Sequence, residues 1–241
     1  MKVRLVSYTV ADPEFIEECR AEAREKGKTE PEFSNIQDLI AFCARVSNPS
    51  NQMNEETSSK LIKYLVKNAH WSPLEMVNAC LEIDTTRDIA HQIVRHRSFS
   101  FQEFSQRYAN PKDMDESVME TCEARFQDNK NRQNSIEIDI TNPAHVMIMD
   151  KWEELQQDVI YTAGRAYDWA ISQGIAKEVA RKVLPEGLTK TRLYMNGTLR
   201  SWIHYVELRS ANGTQKEHME IAKACAEIIA KIFPLMNDLK Q

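Results

Sequence analysis

One helical pattern in the second half of the chain constrains the fold more than any other feature. Asn142 is a good N-cap, Pro143 stands in the first helical position, and Gly174 falls where a glycine ends a helix. Between them Ile148, Trp152, Leu155, Val159, Ala163, Ala166 and Ala170 step by three or four. A helix of roughly 30 residues spans about 45 Å. The chain has 241 residues, which suits one domain with a sizeable core or at most two small ones.

Shorter patterns complete the outline. Residues 2–9 and 76–85 alternate at period two and read as strands. Residues 10–34 are charged and interrupted by proline, which predicts loop with a short helix. Helices are expected at about 35–47, where Ile36, Leu39, Ile40 and Cys43 share a face, and at about 55–69, where Leu61, Ile62 and Leu65 recur. Thr85 and Asp88 form a capping-box pattern opening a helix that carries Ile89, Ala90, Ile93 and Val94. Residues 98–108 read as an extended loop ending in a turn or short strand, and residues 109–140 as a polar surface excursion with one strand at 135–140. After the long helix come a short helix at 176–183, a strand at 189–196, and helices at about 198–210 and 214–233. Strands and helices mix without a regular β-α-β rhythm. That predicts an α+β fold, with a mixed, mainly antiparallel sheet packed against several long helices and a helical C-terminal part. No repeat divides the chain, so residues 1–241 are expected to form a single domain.

Composition removes several classes. Hydrophobic content of 42% and charged content of 28% are ordinary for a globular protein. No stretch approaches the ~20 apolar residues of a membrane span. The N-terminal segment is too short and too charged for a secretory signal, so a cytoplasmic protein is expected. Cys19, Cys43, Cys80, Cys122 and Cys225 are scattered without CxxC spacing, which suggests free thiols and no metal site. The net charge of −5 disfavours nonspecific nucleic-acid binding, which needs a basic footprint.

Within this acidic whole the arginines are unevenly placed. Arg95, Arg97, Arg107, Arg181, Arg200 and Arg209 lie in segments that otherwise read as packed helix or tight turn, which suggests a local anion site. At 100° per residue Ile89, Ala90, Ile93 and Val94 form one arc, with His91, Gln92 and Arg95 opposite. Arg97 would land inside the apolar arc if the helix continued. A guanidinium keeps its charge, so either the helix stops by residue 96 or Arg97 points at an anionic or subunit partner. A frayed helix end with solvated arginines is the plain alternative. Residues 98–108 add hydroxyls, a carboxylate, an amide and Arg107, a composition whose backbone N–H groups and side chains can cradle a phosphate. Further on, Leu199, Trp202, Ile203 and Val206 share one helix face, and Arg200, His204 and Glu207 the other. Arg209 sits at the edge of the apolar side.

These motifs together resemble the flavin-dependent thymidylate synthases. That family carries Arg-His-Arg, seven residues, then Ser, and Arg two further on. Here Arg95-His96-Arg97 is followed by Ser98 to Phe104, then Ser105 and Arg107. Gln92 precedes the motif at the family's place. Upstream, Ala44-Arg45-Val46-Ser47 and His70-Trp71-Ser72-Pro73-Leu74-Glu75 resemble the family's segments; downstream, residues 179–185 and 199–209 do. The match covers about 43–108 and 176–222, leaving out 10–34 and 109–140.

The resemblance implies reductive methylation of dUMP to dTMP, with methylenetetrahydrofolate as carbon donor and NADPH reducing FAD. It implies that Ser72, Arg95, His96, Arg97, Glu103, Thr198, Leu199, Arg200 and His204 touch FAD. It assigns dUMP to Gln92, Ile93, Val94, Arg95, Glu103, Phe104, Ser105, Gln106, Arg107, Arg181 and Arg209, and it puts His70 on the flavin and folate side. Many members have Asn where this chain has Thr198 and His204, so the chain departs from the common pattern at two of the flavin contacts. Arg209 matches the activating arginine. Because a guanidinium stays protonated at neutral pH, its role would be to stabilise anionic charge on the uracil as N3–H ionises or charge builds on a carbonyl oxygen. No cysteine lies in the Pro-Cys-His context used by the other class of thymidylate synthase. The family also implies a homotetramer with sites shared between subunits. Two other readings compete: a flavin- or nucleotide-binding protein without activity, and a nucleic-acid module using Phe99, Phe101, Phe104 and Tyr108 for stacking.

Overall fold

The computed structural model describes residues 2–115 and 117–239. In chain order the elements are β1 (Lys2–Tyr8), α1 (Pro13–Glu25), α2 (Ile36–Ala44), α3 (Ser58–Lys67), β2 (Asn78–Thr86), α4 (Arg87–Ile93), β3 (Ser100–Glu103), β4 (Arg125–Gln127), β5 (Ser135–Glu137), α5 (Pro143–Ser172), α6 (Lys177–Ala180), β6 (Lys190–Thr198), α7 (Leu199–Ser210), α8 (Lys216–Ala230) and α9 (Met236–Leu239). Short 3-10 turns at Ser72–Glu75 and Arg181–Val183 carry two of the predicted site residues, Ser72 and Arg181. The α+β class expected from the sequence is the one that forms.

Four strands make an antiparallel sheet in the order β1-β2-β6-β3. Alternation decides its two faces. Ala79, Leu81 and Ile83 of β2 and Leu193 and Met195 of β6 are fully buried on one side. The other side carries a charged ladder: Arg4 donates to Glu82 at 2.8 Å, and Arg192 grips Asp84 at 2.6 Å. Arg4 beside it holds the Glu82 carboxyl below its ordinary range, although burial opposes this.

The apolar face is covered by α7 and α8. Leu199, Trp202, Ile203 and Val206 of α7 all face inward, as their spacing predicts, and Ile221, Ala222, Cys225 and Ile229 of α8 meet them. Each large side chain buried this way contributes about 1.5–3 kcal/mol. Trp202 also donates its indole N–H to the Ala79 carbonyl at 3.0 Å, which pins α7 across β2.

The long helix α5 has the predicted limits. Asn142 accepts from the Ala144 N–H at 3.0 Å, and Gly174 ends the helix at φ +77°. Its apolar stripe is only half used. Gln156, Ala163, Tyr167 and Ala170 are buried, whereas Trp152, Leu155 and Val159 remain 44–47% exposed.

Several local expectations need correction. The short helix expected in 10–34 is a full 13-residue helix, α1, capped by Asp12, with Phe15, Ile16, Cys19 and Ala23 on its inward side. The Thr85–Asp88 capping box does not form. Strand β2 extends through Thr86, which becomes the N-cap without a side-chain cap bond, and its hydroxyl donates to Asp88 at 2.5 Å instead. The excursion 109–140 carries a two-stranded hairpin, β4–β5, where one strand was expected. Residues 98–108 contain a true strand, β3, whose pairing to β6 supplies hydrogen bonds that local sequence does not reveal.

Candidate active site

The loop after α4 is where separated motifs meet. Helix α4 ends at Ile93, with Val94 as its C-cap, so Arg97 never enters the apolar arc. Of the two outcomes open at the sequence level, the helix stop is the one observed. His96, just beyond that stop, is partly buried. Its ring packs edge-on against Tyr205 of α7, with centroids 4.9 Å apart. Arg209, 113 residues later on the last turn of α7, donates Nε–H to His96 Nε2 at 2.9 Å. That bond requires an unprotonated Nε2. Burial, and then the Arg209 charge, push the His96 imidazole down to about 4, which keeps it neutral.

A second histidine stands behind this pair. His218, near the start of α8, has no exposed surface. Its Nδ1 lies 3.3 Å from Gln92 Oε1, and its Nε2 lies 3.2 Å from the Tyr205 hydroxyl. Gln92 in turn donates to Gln215 Oε1 at 2.7 Å. Burial, Arg209 and His96 together hold His218 down at about 3. Sequence reasoning missed Tyr205, His218 and Gln215. A signal was present for one of them: His218 precedes Ile221, Ala222 and Cys225 at helical spacing, which puts an imidazole on an apolar stripe.

A turn follows β3. Phe104 N–H bonds to Arg192 O at 2.8 Å and ends the strand pairing. The next three backbone N–H groups, of Ser105, Gln106 and Arg107, have no acceptor among the described residues. Gln106 is buried with its side-chain nitrogen unpartnered. Unpaired donors in a turn make an anion-binding concavity. Arg107 reaches Glu178 of α6 at 3.0 Å, and Lys177 Nζ pins the Tyr108 carbonyl at 3.2 Å. Glu178 is one helical turn before Arg181, so the 105–108 turn and Arg181 share a neighbourhood. Arg95, Arg97 and Arg181 make no ion pair with a carboxylate among the described residues.

The remaining predicted residues fall in two further groups. On one side of α7, Arg200 pairs with Glu75, and His204 packs on Trp71 with ring centroids 4.4 Å apart. Ser72 opens the 3-10 turn beside these residues, and the exposed His70 lies edge-on to Tyr64. Thr198 caps α7, accepting from the Ser201 N–H at 3.2 Å, and Ser201 donates to the Ser98 carbonyl, tying α7 to the loop after His96. Leu199 is buried, so only its backbone is available to a ligand. Ile93 is likewise buried, and Val94 is exposed. The other group centres on Glu103, which accepts from Arg87 at 3.2 Å and from the Thr191 hydroxyl at 2.8 Å.

The Arg-His-Arg loop and the late arginine thus meet from two distant parts of the chain, and the donor-rich turn stands against α6. The family model described as thymidylate synthase complementing protein matches residues 32–235. A probable flavin-dependent thymidylate synthase of Paramecium bursaria Chlorella virus 1 is 50% identical over 205 residues, spanning 83% of this chain and 88% of the viral protein. The chain belongs to the flavin-dependent thymidylate synthase family. A second flavin-dependent thymidylate synthase, from Synechocystis, is 49% identical over 81% of this chain and 85% of its own length. The one from Thermus thermophilus is 33% identical over 81% of this chain and 68% of its own. Among solved structures, a UMP/dUMP methylase from Streptomyces cacaoi superposes with a TM-score of 0.74 over 99% of this chain and 93% of that one. At 20% identity that likeness speaks for the fold alone.

Proposed function

We propose that this chain is a flavin-dependent thymidylate synthase that methylates dUMP to dTMP, with FAD as cofactor, NADPH as reductant and methylenetetrahydrofolate as carbon donor. The observation that carries the proposal is the 2.9 Å contact between Arg209 and His96, which delivers a fixed guanidinium to the Arg-His-Arg loop from the far end of the chain.

The residues present suit both the cofactor and the nucleotide. Arg95 and Arg97, without carboxylate partners among the described residues, are available to the pyrophosphate of FAD, with Ser72, Arg200 and His204 on the α7 side. Glu103, the backbone of Thr198 and Leu199, and the ring of His96 complete that set, and His70 faces the flavin and folate side. Bound FAD supplies the hydride chemistry. The turn from Phe104 to Arg107, with Arg181 beside it, grips the dUMP phosphate through unpaired backbone donors and charge. Gln92 to Arg95 border the nucleotide. Arg209 stabilises negative charge as the uracil ring is activated, a preorganised electrostatic role in which no proton leaves the guanidinium.

A cysteine nucleophile has no place in this scheme. All five cysteines are free, and burial pushes each thiol up, Cys122 to about 11. A protonated thiol is a poor nucleophile. The free thiols also fit a cytoplasmic enzyme. The exposed stripe of Trp152, Leu155 and Val159 supports a homotetramer in which α5 packs on other copies and the site is shared between subunits. The whole chain would act as one catalytic domain.

One spectrum tests the proposal. Protein with added FAD is scanned before and after NADPH, with and without dUMP. Bound flavin that bleaches with NADPH and responds to dUMP is expected. Protein that neither takes up FAD nor oxidises NADPH would overturn the assignment.

A further inference from the structure

Behind the proposed nucleotide site lies a buried relay with a single direction of donation, and it ends on Gln92. His218 sits on α8 with no exposed surface, and burying an imidazole is costly unless both ring nitrogens are satisfied. Both are. Nε2 faces the hydroxyl of Tyr205, itself 1% exposed and packed against Trp202 and Phe99. Nδ1 faces Gln92 Oε1. Held near 3, the ring is neutral, so one nitrogen donates and the other accepts. Tyr205 decides which way round this is, because its buried hydroxyl has no other partner among the described residues and so donates to Nε2. Nδ1 then keeps the proton and donates to Gln92 Oε1, which leaves Gln92 Nε2 to donate to Gln215 Oε1.

A carboxamide is ambiguous by nature, since its oxygen and nitrogen ends are nearly the same size and a 180° turn exchanges acceptor for donor. At a partly exposed position nothing in the glutamine itself chooses between them. We propose that His218, oriented by Tyr205, is a positioning residue that locks the Gln92 carboxamide with its nitrogen toward the nucleotide, so that position 92 presents an N–H donor to an oxygen of the bound pyrimidine nucleotide. This rests on the proposed placement of dUMP beside Gln92. One of the two Nε2 hydrogens goes to Gln215, and the other is left for the ligand. A glutamine free to turn would spend part of its time offering an oxygen to an oxygen, which repels. Locking it removes that cost from binding without touching the reacting atoms.

The test is a double-mutant cycle on the FAD-loaded enzyme, read by calorimetric titration with dUMP and by steady-state rates. His218→Leu keeps the volume and removes both hydrogen bonds; it should raise the dUMP dissociation constant and KM about fivefold, the effect of one ordinary hydrogen bond, with kcat within about twofold of wild type. His218→Asn, which can still donate from the Nδ1 position, should recover most of that loss. In a Gln92→Leu background, His218→Leu should cost nothing further, because the residue it positions is gone. Additive losses in the double variant, or wild-type dUMP affinity in His218→Leu beside a weakened Gln92→Leu, would overturn the role of His218. A neutral Gln92→Leu in an enzyme that binds dUMP would instead sink the placement of Gln92 on which it rests. Should His218→Leu fail to fold, Tyr205→Phe replaces it. That variant removes only the hydroxyl that sets the tautomer, and it too must lose its effect when Gln92 is leucine.

Discussion

Gly197 is the position where a single methyl group should be felt throughout the site. It lies in β6, buried, and a Cβ built there would stand 2.4 Å and 2.7 Å from two ring carbons of Phe99. Real carbon contacts are never that short, and the obstacle is a flat ring rather than the tip of a flexible chain. Phe99 cannot simply withdraw. Its ring is held edge-on by Trp202 at 4.8 Å and flanked by Tyr205 at 5.9 Å, both nearly inaccessible. Overpacking of this kind costs about 1–3 kcal/mol, offset by roughly 0.5 kcal/mol gained when a strand glycine becomes alanine. Gly197→Ala should therefore destabilise by about 1–2 kcal/mol, a fall of about 2–8 °C in the melting temperature for a chain of this size. The shift should reach function as well, since Phe99 follows the Arg-His-Arg loop by two residues, and that loop is tied to α7 through Ser98 and Ser201. Flavin retention after gel filtration measures the second effect, and thermal melting the first. Phe99→Leu in the same chain should return part of the lost stability by making room. A Gly197→Ala protein that melts like wild type, or one that Phe99→Leu makes worse by the full cost of a core truncation, would refute the steric account.

The same geometry leads to three further outcomes. His96 and His218 hold folded values near 4 and 3 against an ordinary 6.5, so the unfolded chain takes up protons first; their contribution is complete above about pH 6.5 and is lost as the pH falls toward 4, costing about 2 kcal/mol per histidine by pH 5. Denaturant midpoints at pH 7 and pH 5 should show that loss, and stability that stays level or rises on acidification would mean the two rings are not buried neutral. Arg209→Ala should lower turnover by about 10²–10³ while FAD remains bound, and loss of the flavin would contradict an electrostatic role at the substrate. Thr198→Ala removes the cap of α7 and should cost about 1 kcal/mol in urea unfolding, whereas Thr198→Asn, another good capping residue, should cost little.

Much of the architecture was legible because it is written locally. The limits of α5 come from one cap, one proline and one glycine, each acting within a few residues of itself. The inward faces of β2, β6 and α7 follow from period two and period 3.6, so Leu81, Leu193 and Trp202 could be placed before any partner was known. Only the length of α1 was hard to read, because its stripe of Phe15, Ile16, Cys19 and Ala23 is narrow and set among charged residues. Strand β3 read only as extended chain with a short strand as one option, because its hydrogen bonds come from β6, some 90 residues away, and nothing in four residues announces a distant edge.

The candidate site divides in the same way. The sequence by itself determined which chemical groups exist and in what order: a neutralisable imidazole between two permanent cations, a donor-rich turn, and an arginine at the end of an amphipathic helix. Which of them meet was a tertiary decision. His96 and Arg209 touch because α7 packs along the loop that follows α4, with Ser201 bonded to the Ser98 carbonyl and Tyr205 against the His96 ring, bringing residues 113 apart within 2.9 Å. The protonation states were decided there too. An imidazole has no reason to stay neutral until burial removes the water that would solvate its charge, and burial belongs to the packed chain and not to any residue in it.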